Sequence, residues 1–134
     1  MTSLEFKRVK ENRFPEVESL LCVYNPNAVI QGRYYMAVED SAIKGLVGLL
    51  WRSWYLTELR HLLVKPEFRG MGIGSFLVEG ALKKVKTPLV CCTVRVGNEE
   101  SMRLFEREGF IEDRSFVNTE TGNTVSLLMR LKAE

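Results

Sequence analysis

The chain has 134 residues, of which 46% are hydrophobic and 27% charged, as expected of one globular domain with a core of its own. Its formal net charge of +2 gives no reason to expect binding to nucleic acid or to a membrane surface. No apolar run reaches the roughly 18 residues of a membrane-spanning helix, and the N-terminal stretch lacks the apolar run of a signal peptide, so we expect a cytoplasmic protein.

The first half of the chain predicts one helix among four strands. Residues 4–9 alternate apolar and polar side chains, as a strand does, and residues 14–24 carry apolar side chains at helical spacing with Pro15 in the first turn. After the loop of residues 25–32 come three β-rich runs. These runs cover residues 33–40, 43–51 and 55–64. The short turn at Asp40–Ser41 predicts that they form an antiparallel meander.

The second half predicts two helices that alternate with three strands. A helix follows the glycines near Gly72, and Asn98 is well placed to cap another helix over residues 98–109. The run of residues 88–96 between them is almost continuously apolar, which is typical of a central strand covered on both faces. The last two strands cover residues 110–117 and 123–132. The order β-α-βββ-α-β-α-ββ predicts a single α/β domain over residues 1–134, with helices flanking a mixed sheet.

The chain has three cysteines, Cys22, Cys91 and Cys92. Neighbouring residues on a strand point to opposite faces, so a disulfide between Cys91 and Cys92 is not expected. No spacing of Cys and His matches a zinc site, and we expect no bound metal. Buried free thiols in a reducing compartment are the simplest interpretation.

The stretch FRGMGIGS, residues 68–75, places glycines at every second position before the second predicted helix. The first turn of a helix leaves backbone N–H groups unpaired and carries positive partial charge, and glycines let a ligand approach those groups. Arg69 adds a guanidinium group that suits phosphate oxygens. The loop therefore predicts a diphosphate cradle, with a purely structural turn as the alternative. It matches neither the dinucleotide pattern GxGxxG nor the Walker pattern GxxxxGK followed by Ser or Thr.

The segment ELRHLLVKPEFRGMGIGSFLVEGAL resembles the acyl-CoA-binding core of the GNAT superfamily of acyl-CoA-dependent N-acyltransferases. That core has an R/Q-x-x-G-x-G/A loop after a strand that ends in V-x-P, as at Arg69–Gly74 and Val64–Pro66 here. The family's second pattern, N-x-x-A/S-x-x-L/F-Y/F-x-x-x-G-F, matches NEESMRLFEREGF at residues 98–110. The resemblance extends over residues 34–117. It implies a mostly antiparallel sheet with splayed central strands, and an enzyme that moves an acetyl group from acetyl-CoA to a primary amine by direct transfer in a ternary complex.

By this resemblance, acetyl-CoA would lie along the loop and the strand before it. In the family the loop backbone holds the diphosphate, which here implies Arg69, Gly70, Met71, Gly72, Ile73, Gly74 and Ser75. The main chain of the strand holds the pantetheine arm and directs an N–H at the thioester carbonyl, which implies Leu62, Leu63 and Val64. The resemblance also places Asn98 and Phe105 beside the pantetheine. For Asn98, a plain helix cap is the alternative.

Glu58 is the candidate general base, because it lies in the strand that would carry the thioester and the family often has a glutamate near this point. The alternative is a polar residue on an exposed strand edge. His61 is the only histidine, but strand alternation places it on the face opposite Glu58 unless a bulge intervenes, so we expect a structural role. Where many family members have a tyrosine thought to protonate the leaving thiolate, this chain has Phe105. A thiol with a pKa of about 8.5 leaves reasonably well unaided, and water or another tyrosine is a substitute acid.

The acceptor would be bound by residues 10–32 and by the last hairpin. That first segment is short beside the two-helix stretch common in the family, which slightly favours a peptide or protein amine over a small metabolite. Two other functions stay open: a catalytically weak acyl-CoA-binding regulatory module, suggested by Phe105, and a nucleotide-binding protein that uses the same loop. The identity of the acceptor and the length of the acyl group also stay open, and exposed strands near the C-terminus make a homodimer one option.

Overall fold

The computed structural model describes residues 3–132, which form a seven-stranded sheet with helices on both faces. The strands are β1 (Glu5–Arg8), β2 (Arg33–Glu39), β3 (Ala42–Ser53), β4 (Leu56–Val64), β5 (Leu89–Arg95), β6 (Ile111–Val117) and β7 (Thr124–Leu131). The helices are α1 (Phe14–Tyr24), α2 (Ile73–Lys84) and α3 (Glu99–Arg107), with short 3₁₀ turns at Glu11–Arg13 and Pro66–Phe68. The predicted order of strands and helices is confirmed.

Across the sheet the strands lie in the order β1-β2-β3-β4-β5-β7-β6. Neighbouring strands are antiparallel, except that β4 and β5 run parallel. The predicted meander of β2, β3 and β4 is confirmed, together with its tight turn at Asp40–Ser41. Both turn residues have positive φ, 55° and 65°, as a type I′ hairpin turn requires. The α/β class with a mixed, mostly antiparallel sheet is therefore confirmed.

Two apolar cores lie on opposite faces of the sheet. α1 covers β2, β3 and the end of β4, with Val17 in one cluster with Tyr34 and Leu46. α2 and α3 cover the other face, where Leu77 and Phe105 belong to the larger core. Within residues 3–132, no helix has the length and apolar character needed to cross a membrane.

In the C-terminal half of β5, one face of the strand is buried and the other is exposed, so the prediction that both faces are covered is wrong there. Cys92 and Val94 are buried in the core beneath α2 and α3, whereas Thr93 and Arg95 are exposed. Successive side chains of a strand alternate between its faces, and α1 extends only over the earlier strands. The uncovered face of β5 is therefore an open floor beside β4.

All three cysteines have free thiols. Cys91 and Cys92 are buried and Cys22 is half-buried. Burial raises the pKa of the Cys91 thiol to about 11, with the negative charge of Glu58 as a smaller cause, and burial raises the pKa of Cys92 as well. Both buried thiols are therefore protonated at neutral pH and are poor nucleophiles.

β4 and β5 pair only over their first residues and then separate. The parallel pairs are Leu56 with Leu89, Thr57 with Val90, and Glu58 with Cys91. Beyond Glu58 and Cys91, no pair among the described residues joins the two strands. A V-shaped gap therefore opens between them, and the splayed central strands are confirmed.

Candidate active site

The glycine loop, residues 69–72, connects the 3₁₀ turn after β4 to the start of α2. Gly70 and Gly72 have φ angles of 79° and 80°, a left-handed conformation that residues with a Cβ rarely adopt. A Cβ placed on either glycine would meet no atom within 4 Å. The backbone therefore favours glycine at both positions, and the space beside them is open to a ligand.

The first turn of α2 presents backbone N–H groups at the end of this loop. The first hydrogen bond along the helix runs from the Phe76 N–H to the Gly72 carbonyl oxygen, at 3.0 Å. The N–H groups of Ile73, Gly74 and Ser75 consequently have no intrahelical acceptor. Together with the positive end of the helix dipole, they favour an anion beside the loop.

Gly74 has a packing role that the sequence did not reveal. A Cβ at this position would lie 3.0 Å from Cδ2 of Leu104 in α3. The missing side chain therefore lets α2 approach α3 closely. The sequence grouped Gly74 with the two loop glycines as a point of ligand access, but its contact with α3 is a separate reason for glycine.

A cleft of about 590 Å³ lies between the glycine loop and α3, and we call it the loop cleft. Most of the candidate cofactor-binding residues line it, namely Leu62, Leu63, Val64, Arg69, Gly70, Gly72, Ile73, Gly74, Ser75 and Asn98. Met71 is 66% exposed and lies outside this lining. Nε of Arg69 donates a hydrogen bond to the Val64 carbonyl oxygen at 3.3 Å, which ties the loop to the end of β4.

Two arginines of α3 line the loop cleft although the sequence analysis did not single them out. Arg103 and Arg107 are four residues apart and therefore share one face of the helix. Arg103 also lies near Glu99, with 3.8 Å between Nη1 and Oε2, in an exposed ion pair of little strength. With Arg69, they place three guanidinium groups around the cleft. Among the described residues, Glu100 is the one carboxylate in its lining. The signal that could have revealed them is their spacing on the helix after Asn98.

Glu58 lies at the apex of the gap between β4 and β5, opposite Cys91. Its side chain is 20% exposed and its strand is paired on both sides, so the exposed-edge alternative is wrong. Arg52 of β3 donates two hydrogen bonds to Oε1 of Glu58, from Nε at 3.0 Å and from Nη2 at 2.6 Å. Arg52 thus orients the carboxylate, while Oε2 receives no hydrogen bond from the part of the chain that the structure describes.

A larger cleft of about 1170 Å³, which we call the sheet cleft, has β4 and β5 as its floor. Its walls are the loop between α1 and β2 and the turn between β6 and β7, the two segments expected to flank the acceptor. Glu58, His61 and Phe105 line it, and Leu62 and Asn98 line both clefts. The two clefts therefore adjoin at the gap beyond Glu58.

His61 lies in a bulge of β4. A bulge is the one case in which its side chain was not expected to lie on the face opposite Glu58. The pairing with β3 shifts at this point, and His61 has a φ of 54°. The bulge removes the alternation that placed His61 opposite Glu58, and His61 lines the sheet cleft with it. Nδ1 of His61 is within hydrogen-bond distance of the hydroxyl of the buried Tyr34, at 2.7 Å. This contact fits the expected structural role.

The protonation of His61 gives a testable dependence of stability on pH. Burial, and then the positive charge of Arg60, lower the pKa of His61 below its usual value of 6.5, against a smaller opposite effect of Glu58. Between the two values the unfolded chain binds more protons than the folded one, so the free energy of unfolding falls as pH falls through this range. Chemical denaturation at about pH 7.5 and about pH 5.5 is expected to show a smaller loss of stability for His61→Gln than for the natural chain. If the natural chain and His61→Gln lost equal stability between these two pH values, the lowered pKa of His61 would not be the cause of the pH dependence.

Phe105 and Asn98 both line the sheet cleft, from within α3 and from its start. Phe105 is 4% exposed and packs edge-on against Phe110, with ring centroids 5.3 Å apart. The Asn98 side-chain oxygen accepts a hydrogen bond from the Ser101 N–H at 3.2 Å, so the predicted cap of α3 is confirmed. Since Asn98 also lines both clefts, the cap does not exclude a ligand contact.

Fold and clefts together define the class of protein. A sheet whose parallel pair splays beside an anion-favouring helix N-terminus is the arrangement that the resemblance to acyl-CoA-dependent N-acyltransferases implied. The family model described as the acetyltransferase (GNAT) family matches residues 5–110. The chain therefore belongs to the GNAT family, and it is an acyl-CoA-dependent N-acetyltransferase with acetyl-CoA as its acyl donor.

Several solved structures share this fold at low sequence identity. A GNAT family acetyltransferase from Elizabethkingia anophelis with acetyl-CoA bound has a TM-score of 0.85 and 17% identity, over 96% of this chain and 97% of that one. Arabidopsis thaliana Naa50, in complex with the bisubstrate analogue CoA-Ac-MVNAL, has a TM-score of 0.78 and 15% identity, over 96% and 98%. Spermidine/spermine N-acetyltransferase SpeG from Vibrio cholerae has a TM-score of 0.76 and 18% identity, over 97% and 93%. At these identities the likeness concerns the fold alone, and no curated protein matches the chain in sequence.

Proposed function

We propose that this chain moves the acetyl group of acetyl-CoA directly onto a primary amine while both substrates are bound. The observation that carries the proposal is the position of Glu58, which lies at the apex of the β4–β5 gap and lines the sheet cleft, while the loop cleft adjoins this cleft further along the gap at Leu62 and Asn98. An acetyl group that extends from the loop cleft into the gap and an amine in the sheet cleft can therefore both reach this carboxylate. Direct transfer also agrees with the protonated state of the Cys91 thiol, whose pKa is raised to about 11. That thiol is a poor candidate for an acyl-enzyme intermediate.

The loop cleft suits the diphosphate of acetyl-CoA, which supplies the activated thioester. We assign the diphosphate to the backbone N–H groups of residues 69–75, on the support of the open space at Gly70 and Gly72 and of the α2 dipole. Guanidinium groups of the cleft add positive charge around it. Residues 62–64 would pair with the pantetheine arm, because their strand has lost β5 as a neighbour. Asn98 and Phe105 would contact the arm from the α3 side.

Transfer of the acetyl group needs a base for the amine, a donor for the oxyanion and a route for the thiolate to leave. We assign the base to Glu58, because Arg52 holds its carboxylate in one orientation. A backbone N–H of residues 62–64 in the open gap would serve the oxyanion. Phe105 has no proton to give, so the thiolate leaves without an acid from this position.

The substitution Phe105→Tyr tests whether the missing hydroxyl limits the reaction. Because a thiolate leaves reasonably well unaided, we expect kcat to change by less than about threefold, far below the roughly 10²- to 10⁴-fold effect of a required proton transfer. Steady-state release of free thiol from acetyl-CoA measures the change. A rise of tenfold or more would contradict unaided departure and show that a proton donor is limiting.

A catalytically weak acyl-CoA-binding regulatory module is the second candidate, and the absence of a hydroxyl at Phe105 is the observation that favours it. Screening peptides, amino acids and polyamines with acetyl-CoA while following free thiol separates the two. We expect at least one amine to give turnover. Tight binding of CoA without turnover by any acceptor would favour the module, and a larger rise in Tm with ATP or NAD than with CoA would favour a nucleotide site.

We also propose a cytoplasmic protein, since two free thiols are buried in its core as expected in a reducing compartment.

The wall between β1 and β2 contains one α-helix of 11 residues, which leaves the sheet cleft wide and slightly favours a peptide or protein acceptor.

We further propose a homodimer through the C-terminal edge of the sheet. It is supported by exposed apolar side chains of the edge strand β6, Ile111, Phe116 and Val117. Light scattering after size-exclusion chromatography tests it.

A further inference from the structure

The floor of the sheet cleft carries more positive than negative groups. Its lining includes three arginines, Arg52, Arg60 and Arg95, and two glutamates, Glu58 and Glu120. Arg52 is already engaged by Glu58 at 2.6 Å. Arg60 and Arg95 therefore outnumber the one remaining glutamate of this lining, Glu120, and leave the cleft with positive charge.

Neither Arg60 nor Arg95 forms an ion pair with any residue between 3 and 132. Nε of Arg60 is buried and has no hydrogen-bond acceptor within that range. Buried donors without a partner are rare and costly in folded proteins, so this one points to a group that the chain itself does not supply. After burial, the positive charge of Arg60 is the next cause that lowers the pKa of His61, and it partly opposes the burial that raises the pKa of Tyr34, so this charge lies near the Tyr34–His61 pair.

Strand geometry relates these arginines to the candidate base. Arg60 lies two residues after Glu58 on β4, a rise of roughly 7 Å. Arg95 approaches from β5, where the alternate residues Cys92 and Val94 are buried in the core and Thr93 and Arg95 are exposed. Both arginines line the same cleft as Glu58, at roughly 7 Å and 13 Å along their strands from the Glu58–Cys91 pair, so several bonds would separate an anion that contacts them from an amine at Glu58.

We propose that the amine acceptor carries a carboxylate, which Arg60 and Arg95 bind while the amine lies beside Glu58. This inference rests on the proposed acetyl transfer and names the class of its acceptor. Guanidinium groups recognise carboxylates through charge-assisted and often paired hydrogen bonds. A polyamine, by contrast, would bring positive charge to a cleft in which Arg60 and Arg95 outnumber Glu120, the glutamate outside the Arg52 pair.

A matched panel of acceptors tests the charge preference through kcat/KM with acetyl-CoA. One arm compares γ-aminobutyrate with γ-aminobutyramide, a second compares the amidated peptides Gly-Glu-Ala-Ala and Gly-Gln-Ala-Ala, and spermidine is the polycation. We expect the carboxylate member of at least one pair to be favoured by about tenfold or more. The arm that shows the preference tells a small metabolite from a peptide. Equal use of both members in each pair, or preference for spermidine, would overturn the proposal.

Two variants assign the preference to the arginines. Arg60→Gln and Arg95→Gln are each expected to reduce it to about threefold or less, mainly by raising KM for the carboxylate acceptor. Arg95 is exposed, so its variant keeps the test decisive if Arg60→Gln does not fold. The control is Arg114→Gln on β6, an arginine that pairs with Asp113 and lies outside both clefts. An unchanged preference in both variants would overturn the assignment.

A binding experiment separates this inference from the proposed function. Calorimetry of the CoA-loaded protein compares N-acetyl-γ-aminobutyrate with its amide, and the N-acetylated forms of the two peptides. If no acceptor gives turnover, the proposed transfer fails, yet tighter binding of the carboxylate forms that is lost in Arg60→Gln or Arg95→Gln would still support the anion site. Equal binding of charged and uncharged forms would overturn it.

Discussion

Replacing Glu58 by glutamine is expected to lower kcat by about 10²- to 10⁴-fold, the usual contribution of general base catalysis. Glutamine keeps the size of the side chain but cannot accept the proton of the attacking amine. The affinity for CoA is expected to stay within about threefold of the natural value, because the loop cleft is lined by other residues. Steady-state thiol release and calorimetry with CoA measure the two quantities.

The matched control for this change is Glu18→Gln, an exposed glutamate of α1 outside both clefts. It removes the same charge from the chain and is expected to leave kcat unchanged. If kcat of Glu58→Gln stayed within about threefold of the natural value, Glu58 would not be the base.

Gly72→Val is expected to abolish the rise in Tm that CoA produces in the natural chain. The new side chain would stand in the open space of the loop cleft, where the diphosphate is assigned, and its left-handed φ of 80° would be strained. A ligand that binds only the folded state raises Tm, so loss of binding removes the rise. Thermal unfolding with and without CoA measures it.

Gly122→Val is the matched control for strain. Gly122 has the same φ of 80°, a Cβ there would also meet no atom within 4 Å, and it lies in the turn between β6 and β7 rather than in the loop cleft. Both substitutions should cost stability by about 1–3 kcal/mol from backbone strain. Only Gly72→Val should lose the response to CoA. A folded Gly72→Val protein with the natural response would refute the diphosphate assignment.

The element order could be predicted from the sequence because its signals are local. Apolar periodicity predicts the helices. Asp40–Ser41 predicts a turn and Asn98 predicts the start of a helix, and the structure confirms both. The glycine loop could be interpreted because its position before a helix and the second motif point to the same ligand. Those features depend on residues that are neighbours in the chain.

The remaining features depend on the three-dimensional arrangement. The bulge at His61 breaks the alternation from which its face was predicted, and no residue type in LRHLL signals it. The open face at Thr93 and Arg95 follows from how far α1 extends across the sheet, which β5 does not encode. The packing of Gly74 on Leu104 likewise requires two helices to be in place.

A crystal structure of the complex with acetyl-CoA tests the central claim most directly. We predict the diphosphate against the N–H groups of residues 69–75, the pantetheine arm along residues 62–64, and the acetyl carbon in the gap beside the Glu58 carboxylate. The mouth of the sheet cleft should remain free for the amine. Acetyl-CoA bound away from the glycine loop, or with its acetyl group outside the gap between β4 and β5, would contradict the account.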